Sequence, residues 1–260
     1  MILDQIVAAT AKRVAALKET TTLETLKSQV KRSETPFAFE QALARKAAAG
    51  EIAFICEVKK ASPSKGVIAA DFPYLEIARD YQAAGADAIS VLTEPDYFQG
   101  ANTYLTEIKA QVSIPVLRKD FIIDAIQIYE ASLIGADAIL LICSILDTDT
   151  IREYLEIADA LGLSALVEAH DEAEVKQALA AGARIIGVNN RNLKTFEVDL
   201  QNSIRLRQLV SPEILFVSES GIRTAEDIVK LRVNGTNAVL IGETLMRSGD
   251  KKAELDKLRG

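Results

Sequence analysis

The 260-residue sequence predicts an α/β fold, a single (β/α)8 TIM barrel preceded by an amino-terminal helical extension. Three observations support this prediction. Short β-branched runs alternate with helical stretches eight times after residue 50, and a glycine-led pattern recurs about every 50 residues. Charged side chains also follow the β-branched runs at their carboxyl ends, where the loops of such a barrel carry chemistry.

The amino-terminal extension is predicted to be helical throughout. Apolar residues recur at helical spacing from Leu3 to Leu17, and an alanine-rich amphipathic stretch continues to Gly50. The strand pattern begins only after this glycine. The predicted single domain, 1–260, therefore comprises the extension (1–50), the barrel (51–249) and a charged tail (250–260).

Eight short apolar runs have the length and composition of buried parallel strands. Helical stretches separate them, so each strand and the following helix form one unit of a closed ring. An open doubly wound sheet is less favoured, because no Gly-x-Gly-x-x-Gly follows any of the runs. The predicted strands are Phe54–Val58, Ala88–Leu92, Pro115–Leu117, Ala138–Ile142, Leu163–Val167, Ile185–Val188, Ile214–Val217 and Ala238–Ile241.

An internal repeat supports this arrangement. Gly85-Ala-Asp-Ala-Ile returns almost unchanged at Gly135, and more loosely at Gly182 and Gly235. Each glycine is predicted just past a helix, in the left-handed conformation that opens the turn into strands two, four, six and eight. Helix starts agree with this reading, because capping boxes or their near relatives occur at Asp124 with Gln127, Asp171 with Glu174, and Thr224 with Asp227.

Composition limits the partners. A net charge of −7 without a basic block argues against nucleic acid as the main partner. No signal peptide or membrane-spanning segment is expected. Cys56 and Cys143 lie in apolar runs with no histidine or cysteine at metal-ligand spacing, so buried thiols, a reducing cytoplasm and no metal are predicted.

Charged and polar residues mark the carboxyl ends of the strands. Glu57 and Lys59 are two positions apart, so both side chains leave the first strand on one face. A buried strand has no structural need for such a pair, which indicates a site at that end. The other strand-end candidates are Lys119 after strand three, Glu168 after strand five, Asn189 and Arg191 after strand six, Glu219, Ser220 and Gly221 after strand seven, and Gly242 and Glu243 after strand eight.

The same end of the barrel offers two kinds of ligand contact. Glycines in the loops after strands seven and eight let backbone N–H groups approach an anion, which predicts a phosphate site. Lys59, Ser62, Lys119 and Arg191 would add positive potential there. Four apolar residues beside the strand ends would wall a flat ring, although core packing is the favoured interpretation for Leu140; they are Phe98, Phe121, Leu140 and Leu193.

His170 is the single histidine of the sequence. It stands directly before the predicted helix start at Asp171. The capping signal at that position favours a place at the rim of the barrel over a catalytic role.

Seven motifs, one or more from nearly every strand, resemble those of indole-3-glycerol phosphate synthase, and they occur in the right order. A single motif of this kind would be weak evidence, whereas seven in order are specific. The motifs begin at Glu57 (EVKKASPS), Leu92 (LTEPDYFQG), Pro115 (PVLRKDFI), Leu166 (LVEAH), Ile186 (IGVNNRNL), Ser218 (SESGI) and Leu240 (LIGETLM).

The resemblance implies a (β/α)8 lyase that closes the ring of 1-(2-carboxyphenylamino)-1-deoxyribulose 5-phosphate with loss of carbon dioxide and water, without cofactor or metal. Lys119 matches the family's general acid, and Glu168 matches a residue of the proton transfers in dehydration. Glu57 and Lys59 match assisting positions. The other matches are Asn189, Arg191, Glu219 and Ser220 in substrate positioning, Ser62, Lys59, Gly221, Gly242 and Glu243 in the phosphate cradle, and the four apolar side chains in the anthranilate pocket.

Alternatives stay open at this point. A related phosphate-binding barrel isomerase, such as phosphoribosylanthranilate isomerase, would share the phosphate site, but that family relies on a cysteine and an aspartate rather than on these lysines and glutamates. A non-catalytic phosphate-binding barrel is the third hypothesis. The division of acid and base roles among Glu57, Lys59, Lys119 and Glu168 is open as well. A monofunctional, monomeric enzyme is expected.

Overall fold

In the computed structural model, which describes residues 1–192 and 195–260, eight parallel strands close into a barrel. Each strand pairs with its predecessor and its successor, and the first strand pairs with the last, as in the register of Ala53 with Ala238. The predicted fold class and all eight predicted strands are confirmed, three of them with the predicted bounds and five with bounds that differ by one or two residues. The strands are β1 Ala53–Val58, β2 Ala88–Leu92, β3 Val116–Lys119, β4 Ala138–Ile142, β5 Ser164–Ala169, β6 Ile185–Asn189, β7 Leu215–Glu219 and β8 Ala238–Ile241.

Helices surround the barrel and precede it. A small antiparallel hairpin, Ala61–Ser62 with Gly66–Val67, follows β1 and was not predicted. The helices are α1 Ile2–Thr20, α2 Leu23–Gln29, α3 Ala38–Ala48, α4 Tyr74–Ala83, α5 Pro95–Phe98, α6 Asn102–Lys109, α7 Ile126–Leu133, α8 Thr148–Leu161, α9 Glu172–Ala181, α10 Gln201–Arg207, α11 Ala225–Val233, α12 Glu243–Arg247 and α13 Lys251–Arg259.

The repeat glycines have the backbone conformation that the sequence predicts. Gly85, Gly135, Gly182 and Gly235 all have positive φ, between 80° and 94°. A side chain at these positions would be strained, which explains why the chain returns to glycine before each even-numbered strand.

The predicted helix starts differ in detail. Thr224 forms a reciprocal capping box with Asp227. Asp171 accepts from the Glu174 backbone N–H at 2.9 Å, but the Glu174 side chain binds the backbone N–H of His170 instead of Asp171. The Glu174 side chain thus accepts from the residue before the N-cap, whereas in a capping box it would accept from the N-cap itself.

The helix α3 closes the amino-terminal mouth of the barrel. Its Phe39 and Leu43 are fully buried and pack with the first residues of several strands, Ala53 among them. The Glu40 N–H donates to the Ser164 hydroxyl at the start of β5, over 3.1 Å. The last part of the amino-terminal extension therefore supplies core to the barrel.

The helix α1 reaches the opposite, carboxyl-terminal end of the barrel. Its Arg13 lies 2.9 Å from Glu94 and 4.0 Å from Asp120, both of which are buried, and also pairs with Asp96. The Glu94 carboxylate in turn caps α5 by accepting from the backbone N–H groups that end at Phe98. Buried carboxylates need a charged or hydrogen-bonding partner, so these contacts fix α1 against the loops after β2 and β3.

Residues 250–260, described above as a charged tail, are mostly helical. Leu255 and Leu258 of α13 are fully buried, and the Arg259 guanidinium donates to the carbonyls of Ala84 and Gly85 at 2.7 and 2.6 Å. The charges of this segment face outward while two leucines pack inward, because apolar residues three apart lie on one face of a helix. The structure thus makes α13 the last helix of the surrounding layer.

No helix within the described residues combines the length and the apolar character that crossing a membrane requires.

Replacing Phe39 with alanine should destabilise the protein strongly, because the side chain is fully buried at the closed mouth of the barrel. We expect a loss of about 3–5 kcal/mol in the free energy of unfolding, the usual cost of truncating a buried phenylalanine. Urea unfolding followed by circular dichroism measures this loss. Phe196→Ala, at a side chain that is 36% exposed, is the matched control and should cost under about 1 kcal/mol. Equal losses in the two variants would contradict the role of α3 as a plug.

Candidate active site

A cavity of about 400 Å³ opens at the carboxyl ends of the barrel strands. Fifteen of the sixteen predicted site residues line it. The sixteenth, Leu193, lies outside the described residues, so its predicted place in the pocket stays a prediction. The lining residues that were predicted are Glu57, Lys59, Ser62, Phe98, Lys119, Phe121, Leu140, Glu168, Asn189, Arg191, Glu219, Ser220, Gly221, Gly242 and Glu243.

The Lys119 ammonium lies at the centre of the charged part of this cavity. Its Nζ is 3.4 Å from Glu168 and 3.3 Å from Glu219. Burial alone would lower the pKa of Lys119, but the attraction of Glu219, Glu168 and Glu57 outweighs burial and raises it above its ordinary value. Lys119 is therefore an ammonium in the ligand-free protein.

Glu57 and Lys59 form a second ion pair at the end of β1. The two side chains lie side by side because alternate residues of a strand point to the same face, as predicted. A Cβ at Gly242, on the neighbouring β8 end, would overlap the Glu57 carboxylate and approach Lys59 Nζ. Glycine at 242 is thus the residue that leaves room for the pair.

The two carboxylates that contact Lys119 have pKa values displaced in opposite directions. Burial would raise the pKa of Glu168, but Lys119, His170 and Asn189 lower it well below its ordinary value. Burial raises the pKa of Glu219 to about 7, and Lys119 opposes that shift only in part. Glu168 is consequently a carboxylate at neutral pH, while Glu219 holds a proton for part of the time.

One oxygen of Glu219 is buried against Gly187 and unpaired among the described residues. Its Oε1 is buried and has no hydrogen-bond partner among the described residues. A Cβ at Gly187 of the adjacent strand would overlap this carboxylate, so the glycine makes its position possible. An unpaired buried oxygen is costly when the carboxyl is ionised, and this burial is the main reason that the pKa of Glu219 is raised.

The loops after β7 and β8 line the cavity through Ser220, Gly221 and Gly242. Ser220 and Gly221 both have positive φ, 67° and 84°, the left-handed region that favours glycine. At the other loop, Gly242 precedes α12, whose first N–H groups have no partner within the helix. Glycines in these two loops are the basis of the predicted anion site, and anion binding there stays a prediction.

Two cations offset the negative charge of the Glu243 side chain beside these loops. Lys65 lies 3.4 Å and Arg247 3.2 Å from its carboxylate. Burial would raise the pKa of Glu243, but the two cations lower it, so the carboxylate stays ionised and paired. Any contact of Glu243 with an anion would involve its backbone N–H.

The apolar side of the cavity contains two aromatic rings. Phe98 and Phe121 have centroids 6.0 Å apart and ring planes inclined by 37°. Leu140 is 2% exposed, lines the cavity and belongs to the core inside the barrel, so it packs as a core residue with one edge at the pocket. Arg191 donates to the Phe196 carbonyl over 3.2 Å, and both residues line the cavity.

His170 stands directly before the helix start at Asp171, as predicted, but its ring also contacts the site. Its Nε2 lies 3.3 Å from Glu168 Oε1. The spacing of 168 and 170 on one face of the extended chain is the sequence signal for this contact. His170 does not line the cavity, so it lies behind Glu168.

Some lining residues were not predicted from the sequence. Ile2, Leu3 and Ile6 of α1 cover part of the cavity, and Lys65 and Arg247 lie beside the anion-binding loops. The apolar stripe of α1 was visible, but no sequence rule states which end of the barrel a preceding helix covers. Lys65 carried the clearest signal, because it stands in the cationic loop after β1. Among the described residues, no group of histidines, cysteines and acids is arranged to hold a metal ion.

A closed parallel barrel with ionised side chains gathered at one mouth defines an enzyme of the (β/α)8 class. Two solved structures titled 3-hexulose-6-phosphate synthase, one of them from Salmonella typhimurium, support the fold alone. They superpose with TM-scores of 0.62 and 0.65 at 17% and 16% identity, covering 80% of this chain and 98% and 96% of theirs.

Sequence comparison identifies the family. The model of the indole-3-glycerol phosphate synthase family matches residues 3–258. The indole-3-glycerol phosphate synthase of Ruminiclostridium cellulolyticum is 65% identical over 262 residues, covering 100% of this chain and 99% of the relative. That of Endomicrobium trichonymphae is 57% identical over 261 residues, covering 100% of both. The chain belongs to the indole-3-glycerol phosphate synthase family, as its motifs predicted.

The raised pKa of Glu219 has a consequence for stability. Between its ordinary value of 4.5 and about 7, the folded protein binds this proton more tightly than the unfolded chain. The contribution is complete below pH 4.5 and is lost as the pH rises through 7, at about 1.4 kcal/mol per pKa unit. Relative to the parent protein, Glu219→Gln should therefore gain stability steadily from pH 5 to pH 8, by a few kcal/mol in all.

Chemical unfolding at several pH values in this window measures the difference. Glu243→Gln is the matched control, because the pKa of Glu243 is lowered and its titration falls below the window. Parallel stability curves for the parent and Glu219→Gln would show that Glu219 is ionised throughout.

Proposed function

We propose that Lys119 is the general acid of the reaction and that Glu168 is the principal base. The activity itself follows from family membership: the chain is an indole-3-glycerol phosphate synthase, a carboxy-lyase of tryptophan biosynthesis that acts on a small phosphorylated substrate. It converts 1-(2-carboxyphenylamino)-1-deoxyribulose 5-phosphate into indole-3-glycerol phosphate with loss of carbon dioxide and water.

Lys119 Nζ lies within 3.4 Å of two buried carboxylates in the cavity, and this position is the main support for its role as the acid. In ring closure, the aromatic carbon that bears the carboxylate attacks the ribulose carbonyl. The carbonyl oxygen gains negative charge as the new carbon–carbon bond forms. A fixed ammonium stabilises that charge and donates the proton, after which carbon dioxide leaves and the ring regains its aromaticity.

Dehydration needs a base for one proton and an acid for the departing hydroxyl. Glu168 is suited to the first task because its low pKa keeps it ionised at neutral pH. Glu219, with a pKa of about 7, holds a proton part of the time and is suited to supply one. We assign Glu57 and Lys59 an assisting role, since this ion pair lies at the same mouth of the barrel.

The remaining residues suit the two ends of the substrate. Ser62, Lys59 and the backbone of Gly221, Gly242 and Glu243 would hold the phosphate. Phe98, Phe121, Leu140 and Leu193 would enclose the anthranilate ring. Asn189 donates to Glu168 over 3.4 Å, and with Arg191 and Ser220 it would position the reacting groups. A cavity of about 400 Å³ is in the range of small-ligand sites.

The isomerase alternative is not favoured, because neither cysteine is available to a ligand in this cavity. Cys56 is fully buried and faces the layer between barrel and helices, since the alternation of β1 turns it away from Glu57. Burial raises the pKa of the Cys56 thiol and raises that of Cys143 to about 12. Both are therefore neutral thiols, unsuited to acid–base work near pH 7.

We also propose that the enzyme works as a monomer in the cytoplasm without a cofactor or metal. The two free, buried cysteines support a reducing compartment. The acid–base groups already in the cavity are sufficient for every proton transfer in the reaction. Light scattering on the purified protein would measure the mass in solution and decide between a monomer and a larger assembly.

Replacing Lys119 with methionine keeps the length of the side chain and removes its proton and charge. We expect kcat to fall by about 10²–10⁴-fold, the usual contribution of a general acid. The assay follows indole product by ultraviolet absorbance, starting from the synthetic phosphorylated ketose. Lys46→Met, at an exposed lysine paired with Glu51, is the matched control and should retain full activity.

Glu168→Gln should lose activity on a similar scale, because glutamine is isosteric but cannot accept the proton.

Retention of turnover within about tenfold by a folded Lys119→Met variant would rule out Lys119 as the general acid.

A further inference from the structure

We propose that His170 is a positioning residue: it stands behind Glu168 as a permanent imidazolium and holds that carboxylate ionised and aimed into the cavity. This inference rests on the proposed role of Glu168 in proton transfer. His170 does not line the cavity and does not touch the substrate site, so it would act through Glu168 alone.

Both ring nitrogens of His170 face carboxylate oxygens. Nδ1 lies 3.0 Å from Glu174 Oε2 in a hydrogen bond, and Nε2 lies 3.3 Å from Glu168 Oε1 at ion-pair distance, without a hydrogen-bond partner among the described residues. A neutral imidazole has one N–H and one lone pair. One of the two carboxylates would then face the lone pair. Two acceptors repel each other, and the repulsion is stronger where the dielectric constant is low. Only the doubly protonated ring suits both contacts.

The ring has little freedom to turn away from this position. Glu174 of α9 accepts from the His170 backbone N–H at 2.7 Å as well as from the ring, and its own backbone N–H donates to Asp171. The Ser144 hydroxyl lies 3.2 Å from Nδ1 and donates to Glu174 Oε1 over 2.6 Å. Asn202 of α10 donates to the His170 carbonyl over 2.9 Å.

The charges around His170 favour the cation from every side that packs against it. Glu168 of β5 and Glu174 of α9 contact the ring directly, Asp171 precedes α9, and Ser144 and Asn202 are neutral. The Lys119 ammonium contacts the other oxygen of the Glu168 carboxylate, at 3.4 Å from Oε2. Burial lowers the pKa of His170, but Glu168 and Glu174 outweigh burial and raise it to about 10.

Glu168 thus has two cationic neighbours with different proposed roles. Oε2 faces Lys119 at 3.4 Å, and Oε1 faces His170 and Asn189. Lys119 becomes neutral when it gives its proton to the substrate. His170 has no contact with the substrate and keeps its charge, so Glu168 retains one cation throughout. Without such a cation, burial would raise the pKa of Glu168 and leave it protonated when a base is needed.

The charge state of His170 can be read directly, because it is the single histidine of the sequence. In the full-length protein labelled with ¹⁵N in the imidazole, both ring nitrogens should give protonated shifts at pH 7.5, with no titration step near 6.5. Glu174→Gln removes one neighbouring charge and should lower the observed pKa by at least about one unit. Glu172→Gln, at an exposed acid paired with Lys176, is the matched control and should not move it.

A neutral tautomer at pH 7.5, or a titration near pH 6.5, would overturn the proposal. This readout does not depend on turnover, so it stands apart from the proposed function. An active Glu168→Gln variant would contradict the proposed function, whatever the charge state of the imidazole.

Kinetics test the consequence for Glu168. His170→Gln keeps an N–H donor near Glu168 but removes the charge, and His170→Ala removes both. We expect the acidic limb of the kcat profile to move up by about one pH unit in each, with about a tenfold loss of kcat on that limb. KM should change little, because His170 does not reach the cavity. A His170→Gln profile identical to that of the parent would show that the charge has no effect on Glu168, contrary to the proposal.

Discussion

The Lys119 ammonium lies within 3.4 Å of two buried carboxylates, and the charge balance of the active site depends on it. A charge taken out of water is costly unless it is paired, so Glu168 and Glu219 could not both approach the cavity without a cation between them. The barrel makes this pairing possible, because β3, β5 and β7 end at the same mouth. Alternate strands of such a barrel contribute side chains at one level, and the charged residues Glu57, Lys119, Glu168 and Glu219 all come from odd-numbered strands.

Glu168 and Glu219 show how surroundings assign roles to identical side chains. Both are buried and both contact Lys119. Glu168 has an ion-pair contact with His170 and a hydrogen bond from Asn189, whereas Oε1 of Glu219 has no hydrogen-bond partner within residues 1–192 and 195–260. Hydrogen bonds to the charged form favour it, and burial without them favours the neutral form. One site therefore holds an ionised carboxylate and a partly protonated one near pH 7, the combination that a dehydration requires.

The sequence predicted what is local and missed what depends on packing between distant segments. Strand ends such as Lys119 and Glu168 were readable, because a charge at the end of a buried run has no structural reason to be there. The plug formed by Phe39 and the docking of Leu255 were not predicted, since helical periodicity shows that a face is apolar but not what it covers. Contact between His170 and Glu168 was missed for a related reason: a capping pattern explained the same residues locally. Displaced pKa values, as at Glu219, arise from the folded surroundings and have no sequence signature.

The net charge of −7 and the proposed phosphate site are compatible because the charges near the cavity are paired unequally. Glu243, which follows Gly242 at the proposed phosphate site, pairs with both Lys65 and Arg247, so this trio has one positive charge in excess. Lys59 offsets Glu57 in the same cavity, and Arg191 adds a further cation. The local potential that a phosphate meets is therefore set by these residues rather than by the acids spread over the outer helices, which water and salt screen.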